Sequence, residues 1–311
     1  MFNYLLQKDT KNKLREYALS FDISTKEIMK INQSIPTKLY KYCSLNKFSL
    51  RNLLKNELTA SSPKVFNDLY DATIHKNSSQ TVRRELDELS QLPVMSGSVP
   101  VKMNEEKIYC IERTLKRSDR LSMRSMTEPF KIVSLSEANN SILMWSHYAD
   151  MNRGICIEYD FTKLQTATSG PQYQKLIFPV LYLDNPLDMS DLKEKELLNS
   201  MLLSAISKYK TWGYEKEWRI LSYIETTQAR IPLINIPTPT AIYLGKNFKS
   251  KWADEENKSL FDSFCNYIAA KNIELYIMSN EVLSYKLQSR KITLNELIYL
   301  DEFEIEDKFL D

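Results

Sequence analysis

The stretch Gly154–Phe161, GICIEYDF, alternates and is rich in β-formers, and Ile177–Leu183, IFPVLYL, does likewise a short way on. That patterning predicts strands, and two such runs suggest adjacent strands of one sheet. Upstream, KIVSLS (Lys131–Ser136) and the aromatic KLYKYCS (Lys38–Ser44) read as further strands. Between those two runs FSLRNLLKNELTASS reads as a helix with Phe48, Leu50, Leu53, Leu54 and Leu58 near one face, passing into a short strand around LTAS. PKVFNDLYDA (Pro63–Ala72) carries turn signals. ANNSILMWSHYADM reads as a helix begun by Asn139 or Asn140.

Downstream, LKEKELLNSMLLSAISKYKTWGY predicts a long helix ending near Gly213, and EWRILSYI a strand. IPTPTAIYLG adds a strand, KWADEENKSLFDSFCNYIAAKN a helix, and IELYIM a last strand before a polar C-terminal tail. Strands and helices mix without strict βαβ alternation. The expectation is an α+β fold with a mixed, mostly antiparallel sheet, continuous or split, flanked by helices. Residues 1–34 read as a helical leader, with Ser24 and Thr25 before Glu27 as a helix start. Residues 35–311 then form a single α+β catalytic domain with a helical insertion at about 76–129. The insertion contains VRRELDELSQL, the weakly structured PVMSGSVPV, and the basic run of Arg113, Lys116, Arg117, Arg120 and Arg124. That run is either a solvated helix face or a set of nucleic-acid phosphate contacts.

Bulk numbers remove several function classes. Among 311 residues, 42 basic against 40 acidic side chains leave a net charge of +2, so no single-sign field dominates and any phosphate contact is local. Five glycines are too few for loops of the Walker or dinucleotide type. Four cysteines far apart and two histidines give zinc little to work with, and the thiols are expected reduced and mostly buried. The sequence shows neither a secretory h-region nor a run of roughly 20 apolar residues, so a cytoplasmic protein without membrane contact is expected.

Four islands, LYKYCS, FNDLYDA, ILMWSHYADMNRGICIEYD and WGYEKEWRIL, combine aromatic, amide and acidic residues more densely than a core requires. Each is a strand end or the loop beside one, where sites assemble in many folds. Glu215 and Glu217 share a face on a strand, and if the strand starts at Glu217, Glu215 belongs to the preceding loop. Glu217 is the preferred catalytic carboxylate, with Arg219 on its face as orienting partner, phosphate contact or structural ion pair. His147 and Tyr148 are further catalytic candidates. His147 suits packing better than a site role, and Trp145 suits the core. Asn67, Asp68 and Asp71 clasp a ligand or stabilise a turn. On a strand, Lys41 faces away from Tyr40 and Tyr42, so at most one set enters a given pocket.

The order of these islands, completed by the Tyr of VLYLD and by IYLGKNF, resembles the DUF2971 family, a bacterial group named for its undefined function. The resemblance covers roughly Lys38 to Phe248. The family's Asn-Asp-Pro-Phe-Asp is replaced here by Asn67-Asp68-Leu69-Tyr70-Asp71, which leaves the turn less fixed. More weakly, an aromatic and basic first strand, a second strand ending in serines and a late strand glutamate is similar to the order in ADP-ribosyltransferases, including toxins that modify nucleic acid. That resemblance implies NAD as substrate. Tyr40, Lys41, Tyr42, Ser61, Ser62, Asn67, Asp71, Trp145 and Arg219 would then hold it, and Glu217 would bond the ribose hydroxyl.

Aromatic walls suit flat rings, and a carboxylate stabilises the positive ribose left when nicotinamide departs. The expected function is ADP-ribosylation of a nucleic acid or protein by a toxin or phage-defence effector, with an antitoxin as expected partner. The rival expectations are a Mg²⁺-dependent nuclease or hydrolase built on Asp68, Asp71, Glu215 and Glu217, or a nucleotide-sensing module without turnover.

Overall fold

The structure, a computed structural model, describes residues 34–73, 82–84, 86–87, 105–122, 127, 129–162, 176–188, 197–223, 233–252, 255–281 and 283–299. Residues 1–33 of the sequence-predicted leader, the PVMSGSVPV connection, Arg124 and the last residues of the tail lie outside these.

Strand β1 (Lys38–Cys43) is followed by helix α1 (Lys47–Lys55) and strand β2 (Glu57–Thr59). Then come α2 (Glu105–Ser122), β3 (Phe130–Ser136), α3 (Ile142–Tyr148), β4 (Ile155–Asp160), β5 (Leu176–Pro179) and β6 (Leu181–Leu183). The chain continues through α4 (Leu197–Ala205), β7 (Ser207–Tyr209), a 3-10 turn (Lys210–Glu215) and β8 (Glu217–Tyr223). It closes with β9 (Leu233–Asn235), β10 (Ala241–Leu244), α5 (Glu255–Lys271), β11 (Glu274–Asn280), β12 (Leu287–Ile292) and α6 (Leu294–Tyr299).

Among the described residues eight strands form one sheet in the order β12-β11-β10-β4-β1-β3-β8-β5. All its pairings are antiparallel except β10 with β11. The α+β expectation with a mixed, mostly antiparallel sheet therefore holds. Two small sheets, β2 with β9 and β6 with β7, stand beside it.

Periodicity explains the layering. On one face Leu39, Ile157, Ile242 and Leu275 from alternate strand positions pack with Leu50 and Leu53 of α1 and with Phe264 and Ile268 of α5. Burying such side chains contributes roughly 1.5–3 kcal/mol each, and this is the largest apolar cluster. On the other face the short α3 sets Met144 and Trp145 against Tyr42, Cys156 and Tyr243. A third cluster gathers Phe178, Leu202, Leu203 and Leu221 where α4 meets β5 and β8. Asn46 starts α1 by accepting from the Phe48 and Ser49 N–H groups, while Ser49 Oγ accepts from the Asn46 N–H, a reciprocal capping box.

Several sequence expectations are corrected. The β4 and IFPVLYL runs share a sheet but are not neighbours, because β1, β3 and β8 lie between them. IFPVLYL itself is two strands, β5 and β6, in different sheets. Ser141, not Asn139 or Asn140, caps α3 by accepting from the Met144 N–H. The long helix expected to end near Gly213 stops at Ala205. Its apolar spacing runs out into β7, and Gly213 sits in the 3-10 turn. IELYIM is not the last strand, since β12 and α6 follow.

Cys156 and Cys265 are buried thiols, Cys43 is half-buried and Cys110 exposed. Arg113, Lys116 and Arg117 are exposed on α2. Among the described residues no helix is long and apolar enough to cross a membrane.

Candidate functional site

The site originates in a split of the main sheet. β1 pairs with β4 along its whole length, from Lys38↔Asp160 to Cys43↔Ile155, but with β3 only at Tyr40↔Ser136. Beyond that pair β3 takes an isolated bridge from Ser61 to Ile132, with the two N–H···O bonds at 2.9 and 2.8 Å. Lys41 reaches across the gap, and its Nζ donates to the Ser134 carbonyl at 2.9 Å.

A cavity of about 210 Å³ fills this opening. Tyr40, Lys41 and Tyr42 line one side and Ser134 and Ser136 the other, with Ser61, Phe66 and Asn67 closing the end. The alternation rule that would admit only Lys41 or the tyrosines is overridden, because the strand has separated from its neighbour and both faces of its edge meet the gap.

At the back of the cavity lies a buried cluster of charges. Glu217 opens β8, and strand alternation places Arg219 on the same face, where its Nε donates to Glu217 Oε1 at 2.9 Å and its Nη2 to Oε2 at 3.0 Å. Arg219 Nη2 also donates to Asp71 Oδ2 at 2.8 Å, with Asp71 Oδ1 2.7 Å away as an ion contact outside hydrogen-bond alignment. Its Nη1 donates to the Ala205 carbonyl at 2.7 Å.

Lys208 on β7 enters from the opposite side. Its Nζ stands 2.5 Å from Glu215 Oε2, 3.2 Å from Glu217 Oε2 and 3.4 Å from Asp71 Oδ2. Lys216, in left-handed backbone at φ 45°, turns the chain between the two glutamates so that both converge on this ammonium. Ser136 Oγ donates to the Glu215 carbonyl at 2.6 Å, and Tyr148 Oη donates to Glu215 Oε1 at 2.7 Å. Tyr182 Oη accepts from the Glu217 N–H at 2.8 Å. All five charged side chains are buried, and buried charges persist only when paired in this way.

The environments drive the two glutamates apart. Burial works to raise the Glu217 pKa, but the Arg219 and Lys208 cations outweigh it and hold the carboxyl at about 2. For Glu215, burial outweighs the opposing Lys208 and raises the pKa above the ordinary glutamate value. Asp71 is likewise raised by burial against the pull of Arg219. Burial alone would lower Lys208, yet Glu217, Asp71 and Glu215 hold it above an ordinary lysine. For Lys41 burial outweighs the smaller opposing influences of Cys43 and Glu217 and lowers the pKa. One carboxylate that stays ionised beside one that holds its proton more readily is the pairing on which acid–base assignments are built.

The sequence-predicted residues divide by place. Tyr40, Lys41, Tyr42, Ser61, Asn67, Asp71, Tyr148 and Glu217 line the cavity. Arg219 lies behind it as the partner of Asp71 and Glu217, with its guanidinium 5.6 Å from the Phe66 ring centre. Ser62, Trp145 and His147 do not line it. Ser62 precedes the 3-10 turn Pro63–Val65. Trp145 is core, fully buried edge-on to Tyr42, with Nε1 donating to the Asn139 carbonyl. His147 is exposed, its ring 6.5 Å from that of Trp212.

Asp68 accepts from the Tyr70 N–H at 2.9 Å, a local turn contact. Of the four carboxylates considered for Mg²⁺, Asp68 is engaged in that turn, while Asp71, Glu215 and Glu217 close on Lys208 and Arg219, and the described residues contain no group of three or more His, Cys, Asp or Glu able to hold a metal. Lys208 was missed from sequence because SKYK was read as helix. No local period marks it, because β7 is only three residues long.

Fold and site together define an α+β protein with a polar cavity in a split sheet, backed by paired buried charges. Residues 144–220 match the model of the family described as "Protein of unknown function (DUF2971)", so the family resemblance read from the Trp-Ser-His-Tyr-Ala and Glu-Lys-Glu-Trp-Arg islands is borne out. The matched stretch runs from α3 into β8 and supplies Tyr148, Lys208, Glu215, Glu217 and Arg219. No curated protein and no solved structure matches the chain.

Proposed function

We propose that the chain is an NAD-dependent ADP-ribosyltransferase that modifies a macromolecule, as a cytoplasmic bacterial toxin or phage-defence effector restrained by an antitoxin. What supports this reading is the convergence of Tyr40, Lys41, Tyr42 and Ser61 with Glu215 and Glu217 on one cavity. At about 210 Å³ the cavity lies below the roughly 300–1,000 Å³ of drug-sized sites and suits the nicotinamide and ribose of NAD, the remainder lying outside it.

In this reading the nicotinamide departs neutral with the electron pair of the C1′–N bond, leaving an oxocarbenium-like ribose. Ionised Glu217, fixed by Arg219, stabilises that charge without reorganising. The acceptor's nucleophile bonds to C1′ and its proton passes to Glu215, the more basic of the two carboxyls, which the Tyr148 hydroxyl orients.

The test is incubation with labelled NAD and RNA, DNA or protein acceptors. Label transfer is expected, falling at least 100-fold in Glu217→Gln, a loss of about 2.7 kcal/mol of transition-state stabilisation. Absence of transfer to all three, with the variant's toxicity unchanged, overturns the reading. Binding of NAD without product would instead make the chain a nucleotide sensor.

A further inference from the structure

A second cavity of about 220 Å³ lies on the far side of Lys208 from the first. Among the described residues Lys208 is the only one the two linings share. Because its ammonium is drawn to Glu215, Glu217 and Asp71, the second cavity meets mainly its methylene stem. The remaining walls are Leu183, Asn185, Pro186 and Leu187 on the β6 side, Thr73, Ser207, and two tyrosines. Those tyrosines, Tyr70 and Tyr209, are 63% and 47% exposed. Two large aromatic rings held at the surface beside an apolar hollow mark a binding site rather than a core.

The chemistry narrows the occupant. The walls carry no free charge, so an anion or cation would be desolvated without a partner. The volume is below that of a whole nucleotide's site and fits one flat ring system, for which tyrosine faces are stacking surfaces. Asn185, exposed at the rim, presents an amide donor and acceptor together, the pair that answers the edge of a nucleobase, adenine above all, and that a plain aromatic side chain cannot use.

We propose that this second cavity is a nucleobase-binding subsite, taking an adenine-type ring against Tyr70 and Tyr209 with Asn185 on its edge. Its role as the place where the acceptor base is held, one side chain from the carboxylates, rests on the transferase reading. The binding itself does not.

Calorimetric titration of the full chain with adenosine, and separately with a short single-stranded oligoadenylate, tests it without NAD. Saturable adenosine binding is expected. Tyr209→Ala should weaken it at least tenfold and Asn185→Ala should weaken adenosine while sparing toluene, whereas Tyr209→Phe should leave it unchanged. Tighter binding of the oligonucleotide than of adenosine identifies a base within a strand as the natural occupant, and equal binding identifies the free nucleoside. Toluene binding as tightly as adenosine, or adenosine binding untouched by Tyr209→Ala in a variant with an unaltered melting curve, overturns the proposal. If adenosine binds as expected while labelled NAD is never consumed, the transferase reading falls and the subsite stands.

Discussion

Arg219 is fully buried, and its guanidinium joins Glu217 on its own strand to Asp71, 148 positions away in sequence. Removing it leaves two carboxylates in the interior with Lys208 as their remaining buried cation. Arg219→Ala should therefore cost about 3–5 kcal/mol, seen as a lowered urea midpoint with an unchanged m-value. A loss below 1 kcal/mol would show that the cluster is not a stabilising unit in solution.

The same groups set an acid response with two parts. Glu217, depressed to about 2 in the folded chain, contributes stability that is complete above its ordinary value of 4.5 and is lost as the pH falls toward 2. Glu215 and Asp71 are raised, so their ionised forms oppose folding and that opposition fades as they take up protons above 4.5 and 3.8. Urea midpoints measured from neutrality downward should therefore hold or rise first and drop only between 4.5 and 2. A steady decline from pH 7 would contradict the raised pair.

At the scale of elements, the turn after α3 is the most constrained piece of backbone. Asp150, Met151 and Asn152 have φ of 51°, 53° and 65°, three successive residues in the left-handed region. The turn is held because the Asn152 N–H donates to the Trp145 carbonyl, Gly154 to Ala149, and Asn247 to Asn152. Gly245 passes so close that a Cβ there would overlap the Asn152 carbonyl, and at Gly154 it would overlap the Cys43 carbonyl. Gly245→Ala is expected to cost at least the 1–3 kcal/mol of overpacking, since backbone rather than a rotatable side chain is the obstacle. Gly213→Ala is the control, because a Cβ there meets only the Tyr182 ring at 4.0 Å. Equal urea midpoints for both variants would refute the packing account.

Legibility also differed by element. Strands with sustained β-formers, β1, β3, β4, β8, β10 and β11, were readable. β7, three residues long between a helix and a 3-10 turn, offered too few positions to show a period, and Lys208 went unseen with it.

Over the whole molecule, the mixed α+β class was readable because helical and alternating runs are well separated along the chain. Strand order was not, because neighbours in the sheet such as β4 and β10 are distant in sequence and nothing local encodes their pairing. The candidate site was readable as a set of islands and as the Glu217–Arg219 pair. Its geometry was not, since the gap between β1 and β3 depends on where pairing stops, a property of two strands together.

That gap has a mechanical consequence. The sheet is two slabs, β12 to β1 and β3 to β5, that share one residue pair, and the first cavity takes its walls from both. Across the gap the slabs are tied instead by side chains, Lys41 Nζ on the Ser134 carbonyl and Tyr42 Oη on the Ala138 carbonyl, so the width of the cavity is set by two side-chain bonds rather than by a ladder.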